Sequence, residues 1–296
     1  MKNQTLKGII LVVLGAASYG VLTTFVKLAY QDGFTPFEVT FAQMLLGLVT
    51  LFIINIFYNQ KKKKKRQVYA GKNIVKLILS GTSLGLTSIF YYLSVQYISV
   101  SAGIVLLMQS VWMGVLIESI LLKKFPESVK IIAVILILLG TVLANNVLTE
   151  NVALDILGVV YGLIAALSYA ITIYASSQIA TEMPSITRSK YMLIGGFLIV
   201  AIVTLPSLVK SFDLGVFLLW GPILAFFGTI LPPLLFTAGM PKINVGLGAI
   251  LSAIELPVAV IMAYFLLQEK VSLIQWLGIL MILFSIVLMN LRKVKS

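Results

Sequence analysis

The sequence has no cysteine and no histidine. Disulfides, thiolate chemistry and histidine-ligated metals are therefore excluded, as is any acid–base relay built on imidazole. Charge is scarce too: Asp, Glu, Lys and Arg make up 11% of the 296 residues, and only 10 residues are acidic. No G-x-x-x-x-G-K-[ST] segment cradles a phosphate, so the chain brings no ATP motor of its own. Gly81–Gly85, GTSLG, matches the nucleophile pattern G-x-S-x-G, but without a histidine base the match is chance. Nothing in these residues calls for a cofactor or a metal.

What is present is apolar. Hydrophobic residues are 60% of the chain, and the mean hydropathy is +1.07. Soluble domains are not built this way. The expected fold class is all-α and integral to the membrane, because only helices satisfy their own backbone in lipid without closing a barrel. The net charge of +12 does not argue for nucleic acid, because the cations fall between apolar runs, where lipid headgroups and orientation account for them. Lys2 and Lys7 precede a run too long for a cleaved signal peptide, which reads as a retained first span.

Ten apolar spans can be marked, at about 8–30, 36–58, 75–97, 99–122, 128–146, 155–178, 190–209, 215–238, 244–267 and 271–291. Short connections make neighbours antiparallel. With the N-terminus in the cytoplasm, the inner segments hold Lys2, Lys7, Lys61–Lys65, Arg66, Lys72, Lys76, Lys123, Lys124, Lys130, Arg188, Lys190, Lys242, Arg292, Lys293 and Lys295. The outer loops hold Lys210 and Lys270, with the acids Glu150 and Asp155, and Lys27 lies within the first span. The positive-inside rule then puts both termini in the cytoplasm, in an inner (cytoplasmic) membrane. The run KKKKKR at 61–66 is a topology anchor or a dock for anionic lipid.

The chain also repeats itself. Gly8–Phe25 resembles Gly158–Ala175, with Ser18-Tyr19 on Ser168-Tyr169. Ile89–Gln109 resembles the stretch from about Leu234 to Ile254, which sets Val100 on Val245, Gly103 on Gly248 and Ser110 on Glu255. The expected units are residues 1–148 and 149–296. Five spans each is an odd number, so the halves cross the membrane in opposite senses. Inverted repeats of this kind serve secondary transporters, with the substrate site where the halves meet.

Candidate site residues follow from depth and spacing. Glu255 sits near the middle of Ile243–Lys270, hence close to the bilayer midplane. A charge there costs at least about 2.5–3.5 kcal/mol, so it faces a cavity or a partner, or is a protonated acid bonded between helices. Pro257, two residues on, removes a donor from the Ala253 carbonyl. Desolvation disfavours the charged form of a buried carboxyl, which makes Glu255 the proton-coupling candidate. Tyr19, Thr23 and Lys27 recur every four residues on one helix face. Tyr19, its mate Tyr169, and Tyr92 in Phe90-Tyr91-Tyr92 are cavity or inter-helix residues; Lys27 lines the cavity or snorkels to the headgroups. Gln109, Ser110 and Trp112 stand at the depth of Glu255. Glu118 has the interface or Lys123 within reach. Pro232-Pro233 predicts a helix break, either a gate or packing alone. Gly81 and Gly85 suit close helix approach. The apolar fifth and tenth spans face lipid or a second copy in a homodimer.

These residues resemble the EamA family of the drug/metabolite transporter superfamily. The resemblance is carried by Ser18-Tyr19-Gly20, by Ile89–Leu121, and by ELPVAVIMAYFLLQEK at Glu255–Lys270 with the Gln275–Leu280 run after it. Pro257-Val258 and Glu269 match the family's pattern at the end of this span. Trp112 in place of a proline, Lys124 in place of the acid, and Gln43 where a basic residue is common depart from it. The resemblance implies a non-enzymatic carrier of small metabolites, often an amino-acid exporter. Its central cavity would lie among spans one, three, four, six, eight and nine, and it would need no cofactor. Glu255 would meet a substrate ammonium or carry the proton, Gln109, Tyr19, Tyr169, Tyr92 and Trp112 would line the cavity, and Lys27 would meet a carboxylate near the outer gate. The alternatives are a carrier of cationic or quaternary amines, held by aromatic faces, and a membrane scaffold or enzyme.

Overall fold

A computed structural model describes residues 2–61, 71–98, 100–145, 155–268 and 270–293. Lys62–Lys65, Arg66, Glu150, Glu269 and the expected junction at 148/149 lie outside the described residues. Within them the chain is helical, with no strand. Eight helical stretches are long and apolar enough to cross a membrane: Asn3–Gln31, Pro36–Tyr58, Gly71–Ser94, Ala102–Leu122, Ile156–Gln178, Ser185–Leu208, Trp220–Lys242 and Val245–Leu266. Ser128–Ala144 and Leu273–Met289 are apolar but shorter. The chain is a multi-pass membrane protein.

Taken in order, the helices are α1 (Lys2–Gln31), α2 (Pro36–Lys61), α3 (Gly71–Ser94), α4 (Val100–Leu107), α5 (Ser110–Leu122), α6 (Ser128–Ala144), α7 (Ile156–Gln178) and α8 (Ser185–Leu208). After them come α9 (Trp220–Leu224), a π-turn at Ala225–Ile230, α10 (Leu231–Gly239), α11 (Val245–Ser252), α12 (Glu255–Leu266) and α13 (Leu273–Lys293).

Two of the expected continuous spans are tightened in the middle. Between α4 and α5 the Val111 amide donates to Met108 at 3.1 Å, three residues back instead of four. Between α11 and α12 the Leu256 amide donates to Ala253 at 3.3 Å. Pro257 leaves the Ala253 carbonyl without its usual donor, and Leu256 supplies one. The two turns fall on positions matched in the sequence, Ser110 and Glu255, yet only one has a proline. The proline alone is therefore not the cause.

The helix runs on through Pro232-Pro233 without the expected break, and its irregularity is the π-turn one turn ahead of the prolines. Leu231 donates five residues back to Phe226, inside the π-turn. Proline cannot donate, so the Phe227 carbonyl is left open five residues ahead of Pro232. Ser18 of α1 fills it with its hydroxyl at 2.7 Å. Ser168 of α7, the mate of Ser18, donates across to the Ser83 carbonyl of α3 at 3.0 Å. The Ser83 hydroxyl itself pairs with Thr172 at 2.6 Å, which is packing and not nucleophilic chemistry.

Glycines set the close approaches. A Cβ at Gly81 would meet the Met192 backbone of α8, and one at Gly195 would meet the Ile78 carbonyl of α3. Gly140 and Gly278 face each other in the same way, so α6 and α13 turn one face on each other. Their other faces, including Ile131, Ile135, Leu139, Leu277, Leu280 and Phe284, are exposed.

Two cations read as inner-segment charge, Lys130 and Arg188, are buried. Glu118 pairs with Lys130 at 2.6 Å, both buried, and not with Lys123, which ends α5 in the left-handed conformation at φ 49°. Arg188, near the start of α8, is 1% exposed. Its Nε donates to Ile179 at 3.0 Å, its Nη1 to Thr237 at 2.7 Å, and its Nη2 to Ser176 at 2.8 Å and Ala175 at 3.4 Å, all through backbone carbonyls. These are the ends of α7 and α10, where the dipole favours a cation and the last carbonyls run out of helical donors; Ala175 alone also accepts from the Ile179 amide, at 3.1 Å.

Replacing Arg188 with Met should take its donors from the Ile179, Ser176 and Thr237 carbonyls and destabilise the fold by about 3 kcal/mol or more. Arg188→Lys, which keeps the charge with fewer donors, should recover part of the loss. Melting temperatures of the two variants in detergent check this, and an unchanged Arg188→Met would remove Arg188 as the tie between α7 and α10.

Candidate functional site

A cavity of about 390 Å³ lies among α1, α2, α3, α4, α7, the π-turn, α10 and α12. It begins at Glu255, the first residue of α12, which is buried. The Tyr169 hydroxyl donates to Glu255 Oε2 at 3.3 Å. The Tyr19 ring stands edge-on to Tyr169 with centroids 6.2 Å apart, and Tyr19 meets Phe236 of α10 at 5.9 Å. Gly20 lets α1 lie against the Glu255 carbonyl, where a side chain would collide. Beyond these rings the buried cluster of Val12, Ile173, Phe236, Met240 and Ile250 fills the bundle and closes this end.

The lining runs from there to the end of the bundle that carries the α1–α2 and α12–α13 connections. Lys27, Tyr30, Asn145, Lys270 and Gln275 lie along that mouth. Both lysines are exposed. The mouth is tied together by short links. Thr35 and Glu38 cap α2 reciprocally, at 2.8 Å and 3.3 Å, and Glu38 also accepts from the Asp213 amide at 2.8 Å. Trp220 donates to Asp32 at 2.9 Å. Between floor and mouth the walls are mixed: Tyr91 and Tyr92 with Thr87 and Ser88 from α3, Thr23 and Thr24 from α1, Gln43 from α2, and aliphatic residues such as Leu84, Ala259 and Val260.

The expected residues divide by helix face. Glu255, Tyr19, Tyr169, Tyr92, Lys27 and Pro233 line this one cavity. Thr23 joins Tyr19 and Lys27 there, as their spacing requires. Pro232 and Pro257 are buried in the helices that shape it. Gln109 and Trp112 stand outside. Trp112 donates to the Gln109 amide oxygen at 3.0 Å, Gln109 donates to Val105 at 3.0 Å, and Trp112 is exposed on the outer surface. The reason is the register of α5. Ser110, Gly114 and Glu118 turn inward at a spacing of four, which sends Trp112, Leu116 and Ile120 outward. Depth in the membrane suggested Gln109 and Trp112; the face of the helix excludes them. Among residues not singled out beforehand, Thr24, Gln43, Tyr30, Tyr91, Thr87, Ser88 and Lys270 are in the lining. For α3 a signal was present: Thr87 with Tyr91, and Ser88 with Tyr92, each four apart on one face.

Chemically, the arrangement offers groups for binding a small solute. Among the described residues its lining holds one carboxylate, Glu255, at the inner end, tyrosine hydroxyls and rings along the walls, and two cations, Lys27 and Lys270, at the mouth. Among the described residues no group of three or more His, Cys, Asp or Glu could hold a metal ion.

Comparison with known proteins agrees on the class. The family model described as the EamA-like transporter family matches residues 6–146 and again residues 156–291. An uncharacterized transporter of Helicobacter pylori strain J99 is 26% identical over 171 residues, which are 57% of this chain and 56% of that protein. An uncharacterized transporter from Helicobacter pylori strain 26695 is 25% identical over a stretch of the same extent. The match thus spans little more than half the length of these curated relatives. A crystal structure of another protein shares the fold, with a TM-score of 0.77 and 14% identity across 98% of each chain.

The chain has no cysteine of its own, so single cysteines report access directly. At Thr23, Ser88 or Ala259 they should react with an impermeant maleimide added to one side of the membrane, and Val12→Cys should not react from that side. Equal labelling from both sides would overturn a cavity closed at Tyr19, Tyr169 and Glu255.

Proposed function

Since the chain belongs to the EamA-like transporter family, we propose that it is a secondary active transporter of a small amphoteric solute, most simply an amino acid. The observation that carries this reading is the polarity of the cavity, with Glu255 at its closed end and Lys27 and Lys270 at its mouth. A zwitterion enters with its ammonium toward Glu255 and its carboxylate toward the lysines. Solvent screens the exposed lysines, so they steer and orient more than they hold. Glu255 is desolvated and supplies most of the discrimination.

Ten spans in two five-helix halves of opposite orientation complete the reading, with α6 and α13 as the fifth and tenth. The two separate family matches and the crossed serine bonds, Ser18 to Phe227 and Ser168 to Ser83, support it. With both termini in the cytoplasm of an inner membrane, the cavity opens outward, the state in which an exporter releases its solute. Glu255 takes a proton when the ammonium leaves, which exchanges one for the other and draws on a proton gradient. Acidification on the open side then favours release.

A second reading is a carrier of cationic or quaternary amines, favoured by the rings of Tyr19, Tyr91, Tyr92 and Tyr169 around the cavity. The mouth lysines oppose it.

A bound substrate should raise the apparent stability of the purified protein by about 2.7 kcal/mol at a hundredfold excess over Kd. Glu255→Gln should abolish that shift, and in proteoliposomes it should abolish pH-dependent exchange. Lys27→Met with Lys270→Met should weaken amino acids several-fold and leave carboxylate-free amines unchanged. Exchange that survives Glu255→Gln with its pH dependence intact would overturn the assigned role, and a shift with quaternary amines alone would select the second reading.

A further inference from the structure

We infer that Gln43 and Thr24 form a second recognition point in the cavity, which pairs with an uncharged hydrogen-bonding group of the solute, a carboxamide or a hydroxyl. The inference rests on the transport reading above and names which solutes the same cavity prefers.

Gln43 lines the cavity from α2 and is 5% exposed. Among the described residues its side-chain amide makes no hydrogen bond, and Oε1 is buried without a partner. Thr24 lines the cavity from α1, is 2% exposed, and its Oγ1 is likewise buried without a partner. Buried polar groups are ordinarily bonded, and each exception calls for a reason. Other hydroxyls in these walls have one: Thr23 donates to Gly20 at 2.7 Å, and Thr87 to Ser83 at 2.8 Å. Among the described residues, three lining residues keep an unpartnered buried atom: Tyr30 of α1, whose hydroxyl stands at the mouth, and, away from the mouth, Thr24 of α1 and Gln43 of α2.

The position of Gln43 is built. Its backbone carbonyl accepts from Thr229 at 2.9 Å, which pins α2 to the π-turn at this residue. Gly228 within that turn leaves room for the amide, since a Cβ there would collide with Nε2. The backbone is therefore fixed while the side chain's donors and acceptor stay uncommitted.

The chemistry of the pair decides the ligand. A glutamine amide presents a donor and an acceptor side by side and no charge. A carboxamide answers both at once, and a hydroxyl answers one while Thr24 answers the other. A solute that is apolar at this end leaves the amide unpaired in a desolvated wall, and a site built to hydrogen-bond a group rejects the analogue that lacks it. Glu255 and the mouth lysines recognise what every zwitterion shares. Gln43 and Thr24 recognise the part that differs.

The test compares solutes of equal shape and unequal polarity: asparagine with leucine, threonine with valine, and, without a carboxylate, ethanolamine with propylamine. Affinities are titrated from the ligand-induced rise in melting temperature, on the wild type, Gln43→Leu and Thr24→Val. The wild type should hold the polar member about tenfold tighter. Gln43→Leu should erase that difference, with the apolar member bound as well as before. Its melting temperature without ligand should be unchanged or higher, because an orphaned polar atom has gone; a structural role would lower it. Thr24→Val should narrow the hydroxyl pairs more than asparagine against leucine. Equal wild-type affinities within every pair would overturn the assignment and leave the transport reading intact, as would a parallel loss for both members with a lower melting temperature. Binding of neither member of any pair would overturn both.

Discussion

Everything in this molecule depends on one rule of the bilayer: a backbone carbonyl or amide in hydrocarbon must find its partner inside the protein. A plain helix meets that rule by itself and can line nothing but a wall. To build a cavity the helices must bend, and each bend frees carbonyls. The chain answers freed groups from within: the Leu256 amide takes the Ala253 carbonyl, and elsewhere a side chain does so. Ser18 takes the Phe227 carbonyl ahead of Pro232, and Arg188 takes carbonyls at the ends of α7 and α10, those of Ile179, Ser176 and Thr237 among them. The interruptions are therefore stable features of the fold, and they surround the cavity because that is where bends are needed.

The same rule governs what the cavity can contain. Glycines let α3 approach α8, and α1 approach α12, closely, and hydroxyls bridge α3 to α7, α8 to α10 and α1 to the π-turn. Serine and threonine are thereby committed to packing, and polar groups that remain uncommitted in the walls stand out against that background. Glu118 and Lys130 show the alternative fate of charge in this bundle: buried together at 2.6 Å, closed on each other and outside the cavity. Such a pair contributes little net stability against an apolar pair but is costly to break. Among the described residues Glu255 accepts only from a tyrosine hydroxyl, at 3.3 Å, which leaves it available to a ligand.

How much of this could be read in the sequence follows from what each signal measures. Hydropathy marks where helices can cross: of the ten expected spans, eight are helices long and apolar enough to do so, and the fifth and tenth are shorter apolar helices. A carboxylate in a long apolar run is costly wherever it points, so Glu255 was legible. Spacing by four carried Tyr19, Thr23 and Lys27 onto one face. Gln109 and Trp112 were misjudged because depth says nothing about direction, and the inward face of α5 is set by Gly114 against Ala249 of α11, a partner more than a hundred residues away. Arg188 looked like loop charge for the same reason: its acceptors belong to α7 and α10, and no local pattern announces them. Gln43 could not be weighed at all without seeing that nothing answers its amide.

The floor of the cavity joins recognition to closure. Tyr169 bonds Glu255 and packs edge-on against Tyr19, and Tyr19 packs against Phe236. Phe236 in turn seats against Gly15 of α1, where any larger residue would collide. A cation arriving at Glu255 therefore has to share, with the Tyr169 hydroxyl, the oxygen that steadies this row of rings. Aromatic contacts of this kind are worth about 0.5–1.5 kcal/mol beyond burial, comparable to the net value of one hydrogen bond, about 0.5–1.5 kcal/mol. Occupancy of one carboxylate is thus of the right size to bias whether the rings stay packed. In the proposed transport cycle no separate trigger is needed, because the group that recognises the solute is also a member of the seal beneath it.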